Sequence, residues 1–379
     1  MDFEPSEEQT MLRDVSRSVL KGHASPEQVR ALAGDALSDG GELWRLGTEL
    51  GWTGLAVPEE HGGSEQGLVE LSIVAEELGR AAAPGAFLPS ALVALALARS
   101  GSAEVRARVL PGLADGSTAA TWALAEPGGV WSPELVAATA VRDGEDYVLS
   151  GRKTAVQDAE AADWLLVTAQ LDGTPASFLV ERQTAGVTVR RQRVIDETRA
   201  FHGVTLDGVR IPADRLLGGG VAEVQWLADA VAVLTAADAL GAAERLLEMT
   251  VEYAKVRKQF GRAIGSFQAI KHKCATMLLQ VHGARAAIQY AAMALDAGEA
   301  DSSQAASVAK AFASEGMSRV AGEALQTHGG IGFTWEHDLH LFLRRIKTDE
   351  ALHGGSAAHQ ERLVTLMLTD RKESSPVAA

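Results

Sequence analysis

Arginine, glycine and histidine stand in this chain at spacings that could hold an anion and move a proton. Arg257 opens the run Arg257-Lys-Gln-Phe260-Gly261, and the planar fork of a guanidinium can donate two hydrogen bonds to one phosphate. Lys255, Lys258 and Arg262 crowd the same eight residues, a cluster that composition alone reads as a solvated helix face. Gly329 and Gly330 would let backbone N–H groups approach an anionic ligand with no Cβ in the way. His353 brings an imidazole whose unperturbed pKa near 6.5 suits a general base at neutral pH. Asp229 and Asp238 are acids within one small-residue stretch, and Gln157 offers an amide that can donate and accept. Two other chemistries lack support. His328, His337, His340, His353 and His359 do not fall at zinc-helix spacing, and no Gly-x-Ser-x-Gly elbow occurs.

These residues need a scaffold, and 379 residues at 46% hydrophobic content can bury a large core in two or three domains. A formal charge of −15 argues against a nucleic-acid surface, so any phosphate site must be local. Cys274 stands alone, which excludes an intrachain disulfide framework, and the acidic start is unlike a secretory signal. No run reaches the ~18 uncharged apolar residues needed to cross a bilayer. A cytoplasmic protein with no membrane insertion is expected.

Periodicity divides the chain into an all-α block (1–115), a β block (116–219), a helical bundle (220–370) and a frayed tail (371–379). Helices are predicted over 7–22, 26–33, 41–51, 67–82 and 89–100, then over 222–258, 265–297, 302–328, 338–352 and 357–369. Between them lie seven short alternating or β-branched runs separated by Asp-Gly and Ser-Gly turns, which suggest a compact barrel or sandwich. The fold class is α+β.

In chain order, Leu55-Ala-Val-Pro-Glu-Glu-His-Gly-Gly63, Glu126-Pro-Gly128, Ser150-Gly-Arg-Lys153, Val209-Arg-Ile-Pro212, Arg257-Lys-Gln-Phe-Gly261, Phe267-Gln268 and Gln326-Thr-His-Gly-Gly330 resemble the signatures of the acyl-CoA dehydrogenase family. The resemblance covers nearly the whole chain. It implies an N-terminal helical domain, a central β domain and a C-terminal four-helix bundle. It further implies FAD, an acyl-CoA substrate, an electron-transfer flavoprotein as electron acceptor, and a dimer or tetramer. Arg257, Phe260, Gln268, Gln326, Gly329 and Gly330 would hold the FAD pyrophosphate of a neighbouring subunit. Leu124, Ala125, Gln157 and Gly354 would lie at the flavin of this chain.

The chain departs from the family where that flavin should sit. Ala125 replaces a hydroxyl residue, Ala155 and Gln157 stand in the loop that normally offers an aromatic and a threonine, and Val130-Trp131-Ser132 replaces a Gly-Ser pair. The family's base is a glutamate, and an ungapped count places His353 there. Some relatives carry it on the first helix of the bundle, where the count gives Val231, with Asp229 the nearest acid one register error away. Three functions follow from the resemblance. The chain could desaturate an acyl-CoA with His353 or Asp229 as base. It could be a non-catalytic partner donating FAD contacts in a heteromeric enzyme, or a flavoprotein whose reaction needs no glutamate.

Overall fold

The computed structural model describes residues 3–32, 41–129 and 131–374. The end predicted for the second helix, the departure at Val130 and the last part of the expected tail lie outside them. Six helices come first: α1 (Glu7–His23), α2 (Pro26–Leu32), α3 (Gly41–Glu49), α4 (Leu68–Ala81), α5 (Phe87–Ser100) and α6 (Ala103–Ala114). Ser6 starts α1 as a reciprocal cap, its hydroxyl accepting from the Gln9 N–H while the Gln9 side chain accepts from the Ser6 N–H. Sequence periodicity did not reveal α6. Pro111 and Gly112, which punctuate the sequence, sit inside that helix, and Ser102 caps its start.

Seven strands follow: β1 (Ala120–Ala123), β2 (Thr139–Asp143), β3 (Asp146–Gln157), β4 (Trp164–Leu171), β5 (Thr174–Glu181), β6 (Val187–Gln192) and β7 (Phe201–Pro212). They form one mixed sheet. β4 pairs with β5 on one edge, while β1 and β2 run parallel to it at successive positions on the other. The antiparallel ladder β2–β3–β7–β6 completes the sheet. The segment after Lys153, expected to be a loop, is the end of β3. Its register shifts between Lys153 and Val156 because Ala155 takes a left-handed φ of 50°.

The helical part resumes with α7 (Gly220–Val256), a short hairpin of β8 (Lys258–Gln259) and β9 (Arg262–Ala263), then α8 (Gln268–Ala297), α9 (Ser302–His328), α10 (Leu339–Ala351) and α11 (Ser356–Ser374). α11 runs on into the segment expected to fray. By length and hydropathy α7 could cross a membrane, contrary to the count above, but 83% of its most apolar window is buried within the protein. It is the central core helix.

A second feature was not anticipated. One hydrophobic core runs through both helical blocks, while the sheet keeps a smaller core of its own around Leu149, Val167 and Phe178. The two blocks meet where α4 crosses α7. A Cβ on Gly79 would come within 1.9 Å of the Asp238 carbonyl oxygen, and one on Gly241 within 1.8 Å of the Glu76 carbonyl oxygen. Only glycine permits this backbone-to-backbone approach, which outweighs the ~1 kcal/mol that a helical glycine costs relative to alanine.

Candidate functional site

Two groups of predicted residues separate cleanly in the structure. Arg257 caps the end of α7, and Phe260 sits at the tip of the hairpin beyond it, 92% exposed and at a positive φ of 53°. Gln268 opens α8 and Gln326 lies near the end of α9, both exposed. The ends of α7 and α9 are held together by Tyr253, one turn before Arg257, which stacks on His328 at 4.6 Å between centroids. Added Cβ atoms on Gly329 and Gly330 would meet nothing within 4 Å, so the backbone there is open to an approaching group. No carboxylate pairs with Arg257 among the described residues. This arm therefore offers a free guanidinium, two amide side chains and a bare backbone, a donor set that fits a pyrophosphate.

The second group lines a cavity between α5, the sheet and α7. Leu124, Ala125, Trp131, Ala155, Gln157, Arg199, Val231 and His353 all face it. Positions 231 and 353, the two from which a base was expected, thus open on one space. That space is about 50 Å³, room for a few water molecules and too small for a three-ring cofactor. Trp131 stands edge-on to His353 at 4.6 Å. The polar groups on its β3 wall are already engaged. The Ala155 N–H donates to the Gln192 side chain at 2.9 Å, the Gln192 amide donates to the Thr154 hydroxyl at 2.8 Å, and the Gln157 amide donates to Asp158 at 3.2 Å. Few side-chain donors on this wall are left for a flavin ring among the described residues.

The motif residues behind this wall are structural. Lys153 is fully buried and donates to Glu126 Oε1 at 2.7 Å and to the Leu124 carbonyl at 3.1 Å. Glu126 also accepts from the N–H groups of Ala137 and Ala138, at 2.7 and 2.8 Å. Burial pushes the Lys153 ammonium below its ordinary pKa. Burial works against the Glu126 carboxylate as well, yet Lys153 and the two backbone donors hold it below the usual range.

His353 is half-buried, left-handed at φ 56°, and its Nδ1 has no partner. Burial, followed by the positive charges of Lys310 and Arg199, pushes its pKa down to about 3. The imidazole is neutral at pH 7, but so weakly basic that it is poorly matched to taking a proton there. Gly354 does not line the cavity. It lies against the His359 ring, whose Nε2 pairs with the His353 carbonyl at 2.9 Å.

Asp229 must be corrected. It is 1% exposed and lies away from the cavity, pairing with Arg362 at 2.5 Å while accepting from the Ser303 hydroxyl at 2.6 Å. Asp238 is equally committed: Arg345 grips both its oxygens at 2.8 and 2.7 Å, and Arg199 adds a third contact at 2.8 Å. Asp349 pairs with Arg199 in the same cluster. No uncommitted carboxylate faces the cavity among the described residues. Arg199 was not singled out from sequence, and Trp131 was noted only as part of an altered Gly-Ser pair. An arginine is normally a surface residue, and only the tertiary meeting of the sheet with α7 and α10 shows this one buried.

The comparisons agree with this architecture. The acyl-CoA dehydrogenase N-terminal domain matches residues 6–117, the middle domain 121–207 and the C-terminal domain 218–367. Acyl-CoA dehydrogenase IpdE2 of Mycolicibacterium smegmatis is 36% identical, spanning 94% of this chain and 98% of the relative. Among solved structures, the Tcur3481-Tcur3483 steroid ACAD, in a variant form, is 35% identical with a TM-score of 0.90, covering 97% of this chain and 99% of that one. The ChsE4-ChsE5 complex from Mycobacterium tuberculosis is 30% identical, also at 0.90, with full coverage of both chains. Acyl-CoA dehydrogenases are FAD-dependent oxidoreductases of lipid metabolism. The chain, with all three of their domains in order, belongs to the acyl-CoA dehydrogenase family.

Proposed function

We propose that this chain is the FAD-completing subunit of a two-component acyl-CoA dehydrogenase, acting in the cytoplasm. One observation carries the proposal: among the described residues the arm around Arg257 is open and unspent, while the cavity of the same chain is narrow and has no free carboxylate. Arg257 would grip the pyrophosphate of FAD seated in a partner subunit, with Gln268 and Gln326 donating amide hydrogens beside it. The open backbone at Gly329 and Gly330 would lie against the same anion. Exposed apolar side chains near the arm, Val256, Phe260, Phe333 and Trp335, provide area for that partner to cover. Bound FAD supplies the electron acceptor for α,β-desaturation of an acyl-CoA thioester, passing electrons on to an electron-transfer flavoprotein. The base would come from the partner, because His353 is too weakly basic and Asp229 is sealed in an ion pair.

Heteromeric relatives support the proposal, and the steroid ACAD makes a ring-bearing acyl-CoA the first substrate to try. The test is flavin content. Purified alone, the chain should carry none; co-expressed with a family partner that retains its glutamate, the pair should carry about half a flavin per chain. A full equivalent of FAD in the isolated chain, bleached anaerobically by acyl-CoA, would instead establish a self-sufficient dehydrogenase.

A further inference from the structure

A larger open space than the His353 cavity lies away from both parts of the site. α1, the start of α2, the end of α4, α7 and α10 enclose a cleft of about 340 Å³, within the range of roughly 300–1,000 Å³ typical of small-molecule sites. It shares no lining residue with the His353 cavity. Leu20, Ala24, Pro26, Ala81 and Phe342 give it apolar walls. Its polar lining is lopsided for a chain of charge −15: Arg17, Lys21, Arg80 and Arg245 face it, against the single carboxylate of Glu77.

That carboxylate is fully used. Arg17 takes both its oxygens, through Nε at 2.9 Å and Nη2 at 2.6 Å. Arg80 turns its two terminal nitrogens away, to Glu244 at 3.0 Å and to Glu248 at 2.6 Å. Arg245 spends only Nη1, on Glu248 at 3.3 Å. Lys21 has no acceptor among the described residues. Among the described residues, the cleft thus presents unspent donors of Lys21 and Arg245 beside an apolar wall, and its one lining carboxylate, Glu77, is occupied by Arg17.

We infer that this cleft binds an amphiphile with one anionic head, a carboxylate, and an apolar body of medium-chain or ring size. The head would sit between Lys21 and Arg245, where charge-assisted bonds form without displacing an internal partner. The body would lie on Leu20, Ala24 and Phe342. A whole CoA thioester is too large for the space.

The probe is decanoate, titrated calorimetrically against the full chain, with decan-1-ol as its uncharged counterpart. Decanoate should bind once per chain, about tenfold or more tighter than decanol, and weaken as salt rises. Lys21→Gln combined with Arg245→Gln should lower decanoate affinity by about tenfold while leaving decanol binding and the melting temperature unchanged. Ala81→Phe, which fills the cleft, should abolish both. Equal binding of acid and alcohol, or decanoate affinity indifferent to the double variant or to Ala81→Phe, would overturn the assignment. Because neither the arm nor the His353 cavity is altered, flavin content of the co-purified pair should not change.

Discussion

Arg257 is exposed, with no carboxylate partner among the described residues, whereas Arg199 is 4% exposed and spends its charge on Asp238 and Asp349. The first is available to a ligand; the second fastens the sheet to α7 and α10. The same contrast runs through everything around them. Gln268 and Gln326 are exposed with no partner among the described residues, while Gln157 and Gln192 each donate to a neighbour. Gly329 and Gly330 leave backbone bare, while the Ala155 N–H is taken. A motif match therefore says little about use until the partners of each donor are known. In one half the motif residues stand open to a ligand, and in the other they serve the fold.

The sharpest way to break this contrast is to disturb the half assigned to folding. Lys153→Met would leave Glu126 buried without its ion-pair partner and should cost about 3–5 kcal/mol in denaturant unfolding. A loss under about 1 kcal/mol would mean that the pair is not what holds the cavity wall. Next in size, Arg257→Ala should weaken FAD in the co-purified pair by about 10- to 100-fold and leave the unfolding midpoint of the isolated chain unmoved. Unchanged flavin retention would remove the arm from cofactor binding.

Smaller effects are expected at His353. His353→Asn keeps a residue that tolerates the left-handed backbone, so turnover of the assembled pair should stay within about twofold. A collapse of turnover would restore His353 as a catalytic group.

The smallest effect is one of pH. Burial holds His353 at about 3 and His359 at about 4, below the free value near 6.5. Both therefore favour folding in their neutral form. Their contribution is present above pH ~6.5 and is lost progressively as pH falls toward the folded-state values. Asp158, raised by burial to about 6, works in the opposite direction, its penalty relieved on acidification. The histidine effect is best seen as a difference: between about pH 7 and pH 4.5 the chain should lose more melting temperature than its His353→Asn/His359→Gln variant. Parallel curves would show that neither imidazole is held neutral by the fold.

Much of this was legible in the sequence. The helices of the bundle follow from long apolar periodicity, and 302–328 is matched to the residue. Arg257, Gln268, Gln326 and the glycine pair were identified as a group and lie near one end of the bundle, all but Gly329 exposed. What sequence could not show were relations between distant segments. Asp229 looked like a spare acid because Arg362, its partner, is 133 residues away. Ala155 looked like a loop residue because one positive φ bends a strand without ending it. The cleft lined by Lys21 and Arg245 gave no local signal, since its walls come from five helices.

The crossing of α4 over α7 at Gly79 and Gly241 changes what the sheet is to the rest of the molecule. With both helical blocks fused into one core, residues 120–212 form a long excursion from a single helical body, leaving after α6 and returning at α7. One face of the sheet packs into that body through Trp122, Leu124, Trp164, Leu166 and Leu179, while the other face has a core of its own. Substitutions that close a wall on β3 need not disturb the ends of α7 and α9, where the arm is built. The two parts of the site, one on β3 and one at the ends of α7 and α9, can therefore change independently of each other.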